Sequence, residues 1–178
     1  MTTARLTPGD PAPWFIARSP NNPRYQFDTV AGRYIALCFF GSAGDPAIAR
    51  MLAVLRQRGD VFDDNHASFF AIGADPADER EKRLEEHFLG FRLLWDFGLR
   101  IAARYGVCDE PATGKARHYQ PTTFLLDPAL RVLAASLCLL PQRIGGAYCS
   151  PPLFQRSLRP RARPSGVFCP TLRSKLSP

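Results

Sequence analysis

Five cysteines are the residues of this chain best suited to chemistry, because a thiolate is both a nucleophile and a metal ligand. No two of them form a CxxC pair, and their spacing matches no zinc site. Their odd number, with no apolar run of signal-peptide type near the start, predicts reduced thiols rather than a disulfide framework. They stand at five scattered positions: Cys38, Cys108, Cys138, Cys149 and Cys169.

The histidines and acidic residues indicate no second kind of site. His66, His87 and His118 are scattered without HxD or HxxE spacing, so we expect no metal. Acidic pairs such as Asp63-Asp64 are explained by turns and by the first turns of helices. The sequence contains no P-loop, GxGxxG or GxSxG motif, and we expect no cofactor.

One segment has the layout of a reactive-thiol site but lacks the thiol. Residues 37–52, LCFFGSAGDPAIARML, are typical of a buried strand, a short loop and the start of an amphipathic helix. The backbone N–H groups at such a helix start favour a thiolate. The helix begins here with Gly44-Asp45-Pro46-Ala47, in which Asp45 is the predicted N-cap and Pro46 fits the first turn.

The hydrophobic pattern predicts the elements that must position this segment. Tyr34–Phe40 and Ala67–Gly73 are continuous apolar runs, typical of central strands buried on both faces. A charged helix is predicted from Asp75 to about His87. A short strand, a helix closed by Gly106 and a hairpin follow at Arg92–Asp96, Leu99–Tyr105, Thr122–Leu126 and Arg131–Leu137. This order predicts an α/β fold with a mixed sheet and helices on both faces.

The net charge of the chain resides in its C-terminal part. The formal charge is +7, yet residues 1–140 carry 16 basic and 16 acidic residues. Residues 141–178 carry seven basic residues, no acid and seven of the 17 prolines. Because proline removes a helix donor, we predict a domain at 1–140 and an irregular basic tail at 141–178. The longest apolar runs are seven residues, and a membrane helix needs roughly 20, so we expect a cytoplasmic protein.

Four segments carry motifs in a defined order. They are TPGDPAPWF from residue 7, DTVAGRYIALCFF at 28–40, FFAIGAD at 69–75, and RYGV at 104–107 followed by QPTTFLLD at 120–127. Together they resemble the peroxiredoxin-like (AhpC/TSA, redoxin) branch of the thioredoxin fold, over about residues 7–136. The resemblance implies a thioredoxin-like mixed central sheet flanked by helices. Trp14 and Trp95 are expected in the core or at its edge.

The resemblance also implies an active-site-equivalent loop without its nucleophile. Its residues are Gly44, Asp45, Pro46, Ala47, Pro121 and Thr122, with Pro121 corresponding to the family's cis-proline; an ordinary trans proline is the alternative. Aligned with a thioredoxin-like CPPC segment, the two cysteines fall on Gly44 and Ala47. Aligned with the peroxiredoxin PxxxTxxC motif, the cysteine falls near 47–49. The activating threonine is missing, and the family's arginine before "TF" is replaced by Pro121 or Thr122.

No other cysteine is well placed to substitute. Cys38 and Cys138 lie in or beside predicted strands, where a cysteine is usually a small buried apolar residue. Cys108 follows the negative end of a helix, next to Asp109 and Glu110, and both features raise the pKa of a thiol. The remaining two cysteines, Cys149 and Cys169, lie in the predicted tail, where they are oxidisable but have no shaped site.

These observations predict a redox-inactive, peroxiredoxin-like domain with no catalytic residue in place and a binding or structural role. The alternative is an active thiol peroxidase that uses a displaced cysteine such as Cys108. We expect an unidentified protein partner or a fused catalytic domain, no membrane, and no specific nucleic acid. The basic tail favours only weak attachment to polyanions, through phosphate neutralisation.

The end of the predicted domain departs from the thioredoxin fold, which normally closes with a helix packed on the sheet. No amphipathic helix pattern follows Leu140, so this C-terminal helix is expected to be missing, through truncation or a shifted reading frame. The bare sheet face would expose apolar surface, which favours self-association.

Overall fold

A computed structural model describes residues 4–57, 59–86, 89–108 and 119–137, and the structural statements below concern these ranges. The predicted α/β class is confirmed. The strands are β1 Ile16–Ala17, β2 Tyr25–Gln26, β3 Tyr34–Phe40, β4 Ala67–Gly73, β5 Phe91–Trp95, β6 Thr122–Leu126 and β7 Val132–Leu137. The α-helices are α1 Pro46–Gln57, α2 Pro76–Arg80 and α3 Arg100–Arg104.

The main sheet is mixed, with the strand order β5-β4-β3-β6-β7. Strand β3 pairs in parallel with β4, and β4 in parallel with β5. Strand β6 pairs antiparallel with β3, and β7 antiparallel with β6. Because β3, β4 and β5 run in parallel, their carboxyl ends meet at one edge, where Phe40 pairs with Gly73 and Gly73 with Trp95. The loop before α1 begins at this edge.

A core of large aromatic side chains fixes the sheet. On one face Phe39 packs against Tyr105 and Phe124, with ring centroids 5.0 and 5.9 Å apart. Phe27, which follows β2, closes the same cluster against Phe70 at 5.6 Å. All five side chains are fully buried. Burial of this size stabilises the fold by about 1.5–3 kcal/mol for each such side chain.

The N-terminal segment forms structure that the sequence analysis did not predict. Strands β1 and β2 pair antiparallel, and a turn of 3₁₀ helix, Phe27–Val30, follows. The expectation that Trp14 lies in the core or at its edge was wrong, because the residue is 66% exposed. Phe15 takes the inward position and is buried, and alternation along the chain then turns Trp14 outward. Trp95 is buried, as expected.

Helix α2 is shorter than predicted. It ends at Arg80, whereas the charge pattern predicted a helix to about His87. Lys82 adopts a positive φ of 49°, which a continuing right-handed helix does not allow. The backbone N–H of Arg83 then turns back to donate to the carbonyl of Asp78 at 3.0 Å.

Several predictions lie outside the described residues. They include the boundary at residue 140, the basic tail and the missing closing helix, together with Cys138, Cys149, Cys169, His87, His118, Asp109 and Glu110. Within the described ranges, no helix has the length and apolar character needed to cross a membrane.

Candidate functional site

The loop that resembles a redox site lies at the carboxyl edge of the parallel strands. It leaves β3 at Gly41 and reaches α1 at Pro46, the first helical residue, as its proline ring favours. Asp45 accepts a hydrogen bond from the backbone N–H of Ala47 at 2.7 Å. The carbonyl of Asp45 accepts from the N–H of Ala49 at 2.8 Å. Asp45 therefore caps the helix start.

Two acidic residues hold the loop: Asp75, the N-cap of α2, and Asp78, within α2. The hydroxyl of Ser42 donates to Oδ2 of Asp75 at 2.7 Å, and the backbone N–H of Ala43 donates to Oδ2 of Asp78 at 2.7 Å. Oγ of Ser42 also accepts from the N–H of Gly44 at 3.1 Å. Hydrogen bonding by Ser42 is the main cause that holds the pKa of Asp75 below its ordinary value.

Arg83 completes this network by neutralising Asp78. The Asp78 side chain has no exposed surface, and a buried carboxylate is stable only when it is paired. Nη1 of Arg83 lies 3.1 Å from its Oδ1. The same guanidinium packs over the loop, because a Cβ at Gly44 would lie only 2.7 Å from that Nη1. The loop, Asp78 and Arg83 thus form one unit, which we call the loop clamp (Ser42, Ala43, Asp75, Asp78 and Arg83).

Thr122 and Pro121 come to the same edge from β6. Thr122 pairs with Phe39, one residue before the end of β3, and its side chain is buried. The guanidinium of Arg5 donates to its hydroxyl. The implied cis bond at Pro121 was wrong, since the described residues contain no cis peptide bond. The trans form is the ordinary state of most X-Pro bonds.

The two described cysteines are both buried. Cys38, in the middle of β3, is fully buried, and Cys108 is 7% exposed. The thiol of Cys108 lies 3.7 Å from the carbonyl oxygen of Leu99, toward which it points its S–H. A buried thiol beside a carbonyl oxygen is disfavoured as a thiolate. The expectation that Cys38 is a buried strand residue is confirmed.

Sequence reasoning missed Ser42, Asp78 and Arg83. A local signal existed for part of the clamp, because Asp75 precedes Pro76 and caps α2 by accepting from the N–H of Ala77 at 2.8 Å. The contacts from Asp75 and Asp78 to the loop join residues more than 30 positions apart. Among the described residues, no group of three or more His, Cys, Asp and Glu could hold a metal.

The family model that matches is that of the AhpC/TSA family, over residues 8–135. This match spans most of the chain and includes the loop, both acidic residues of the clamp and Thr122. The chain belongs to the AhpC/TSA family. The predicted peroxiredoxin-like thioredoxin fold is confirmed. A comparison with curated proteins found no match.

Solved peroxiredoxin structures share this fold at low identity. The peroxidoxin BcpB of Mycobacterium tuberculosis is 23% identical with a TM-score of 0.64, over 75% of this chain and 87% of its own. A mutant PrxQ of Xylella fastidiosa is 14% identical with a TM-score of 0.64, over 76% of this chain and 88% of its own. The AhpC of M. tuberculosis is 18% identical with a TM-score of 0.58, over 75% of this chain and 83% of its own.

Proposed function

We propose that this AhpC/TSA-family domain is redox-inactive and serves a binding or structural role. The active-site-equivalent residues are Gly44, Asp45, Pro46, Ala47, Pro121 and Thr122, and none of them can act as a thiol nucleophile. We further propose a cytoplasmic location, a domain at 1–140 with a basic tail at 141–178, and a protein partner or fused catalytic domain that supplies any chemistry.

The observation that carries this proposal is the state of the backbone donors between Ala43 and Ala47. Thiolate chemistry at a helix start depends on N–H groups that are free to stabilise negative charge. Here every N–H of this stretch has an internal acceptor, and Pro46 has none to offer. The acceptors are the Asp78 carboxylate, the Ser42 hydroxyl, the Ser42 carbonyl and the Asp45 carboxylate, at 2.7, 3.1, 3.2 and 2.7 Å.

The charge around the loop supports the same conclusion. Asp45, Asp75 and Asp78 bring three carboxylates to the loop, and Arg83 is the cation of the loop clamp, where it pairs with Asp78. Neighbouring carboxylates disfavour a thiolate and disfavour the negative charge that develops on a peroxide oxygen. A loop of this composition is suited to holding its own conformation rather than to stabilising an anion.

The alternative function is a thiol peroxidase that uses Cys108. In that reaction the thiolate attacks the peroxide O–O bond, forms a sulfenic acid and releases water or an alcohol, and an external thiol then restores the cysteine. The burial of Cys108 and its contact with the Leu99 carbonyl disfavour the thiolate that this step requires.

Hydrogen peroxide consumption separates the two functions. The chain and its Cys108→Ser variant are assayed with dithiothreitol and with a thioredoxin system as reductants, beside free cysteine at the same thiol concentration. We expect both proteins to consume peroxide no faster than the free thiol. Turnover far above that rate would contradict the proposal, and its loss in Cys108→Ser would establish the displaced-cysteine function instead.

A further inference from the structure

We draw no further inference here: the strongest candidate, the open groove of about 460 Å³ beside the outer strand β5, is lined by a surface acidic cluster (Glu79, Glu85 and Glu86) that already holds Lys82, and nothing in the described residues indicates a ligand for it.

Discussion

At the scale of single residues, the helix start of α1 keeps the backbone geometry of a reactive-thiol site although no cysteine lies in it. Pro46 and Ala47 keep the first turn, and the backbone there still carries the positive end of the helix dipole. Asp45 offsets this field, because its carboxylate lies 2.7 Å from the N–H of Ala47. A thiol placed here would experience both influences.

Introducing a cysteine at position 47 tests how the helix dipole and the Asp45 carboxylate balance. In Ala47→Cys, the carboxylate of Asp45 should keep the pKa of the new thiol near its ordinary value. Adding Asp45→Asn should lower the pKa of the thiol by about 1, since the helix start then acts unopposed. The pH dependence of thiolate ultraviolet absorbance, taken as a difference from the parent chain, measures this value.

Val54→Cys is the matched control, because Val54 is an exposed residue of the same helix away from its start. Its thiol should titrate normally with or without Asp45→Asn. If the pKa of the cysteine at position 47 does not respond to the loss of Asp45, the carboxylate does not govern the site.

At the scale of elements, the loop before α1 is held by residues of α2 and its flanks as well as by hydrogen bonds of its own. The buried carboxylate of Asp78 accepts from Ala43 and is paired with Arg83. Helix α2 follows β4, and β4 lies next to β3 in the sheet, so the parallel pairing places the acid beside the loop. The loop clamp therefore depends on the register of two neighbouring strands.

Loss of the Asp78 charge should loosen the loop. Asp78→Asn keeps the size of the side chain but removes the ion pair and weakens the bond from Ala43. We expect the free energy of unfolding to fall by about 2–3 kcal/mol, as for buried hydrogen bonds to charged groups. Denaturant unfolding measures this loss, and hydrogen exchange at the Ala43 amide should accelerate.

Two further variants complete this test. Arg83→Gln should also accelerate exchange at Ala43, whereas Arg80→Gln, at the exposed last residue of α2, should not. Asp28→Asn should change stability by no more than about 0.5 kcal/mol, as surface substitutions usually do. If Asp78→Asn lowers the free energy of unfolding no more than Asp28→Asn does, the loop clamp contributes nothing to stability.

At the scale of the whole domain, the first described residues join α3 to the start of β6. Gly106, the second residue after α3, has a φ of +66°, and an added Cβ would lie 2.5 Å from the Cα of Arg5. The side chain of Arg5 then reaches the buried hydroxyl of Thr122. The N-terminal segment is in this way part of the fold rather than an appendage to it.

Substitution of Gly106 should disrupt the close contact between Gly106 and the backbone of Arg5. Gly106→Ala combines an unfavourable positive φ with a clash against backbone, so we expect a loss of about 2–4 kcal/mol in unfolding free energy. Gly9→Ala is the matched control, because Gly9 has a φ of +98° but nothing within 4 Å of the added Cβ. It should cost only about 1–2 kcal/mol. Equal losses in both variants would show that the close contact with Arg5 is unimportant.

The sequence by itself determined the family, the α/β class and the order of the main elements. Those features depend on local patterns, such as the apolar runs of β3 and β4 and the proline that begins α1, and local patterns are legible in a single chain. It also identified the loop without a cysteine. Two local features were not predicted, the end of α2 at Arg80 and the exposure of Trp14. The charge pattern continues past the turn at Lys82, and residue type does not tell which of Trp14 and Phe15 faces inward.

Only the tertiary structure decided which residues hold the active-site-equivalent loop in place. The contact of Ser42 with Asp75 spans 33 positions, that of Ala43 with Asp78 spans 35, and that of Arg5 with Thr122 spans 117. No periodicity encodes such pairs, because they form only when the sheet register brings distant segments together. The burial of the Trp95 indole N–H without a hydrogen-bond partner among the described residues is likewise visible only in the folded chain.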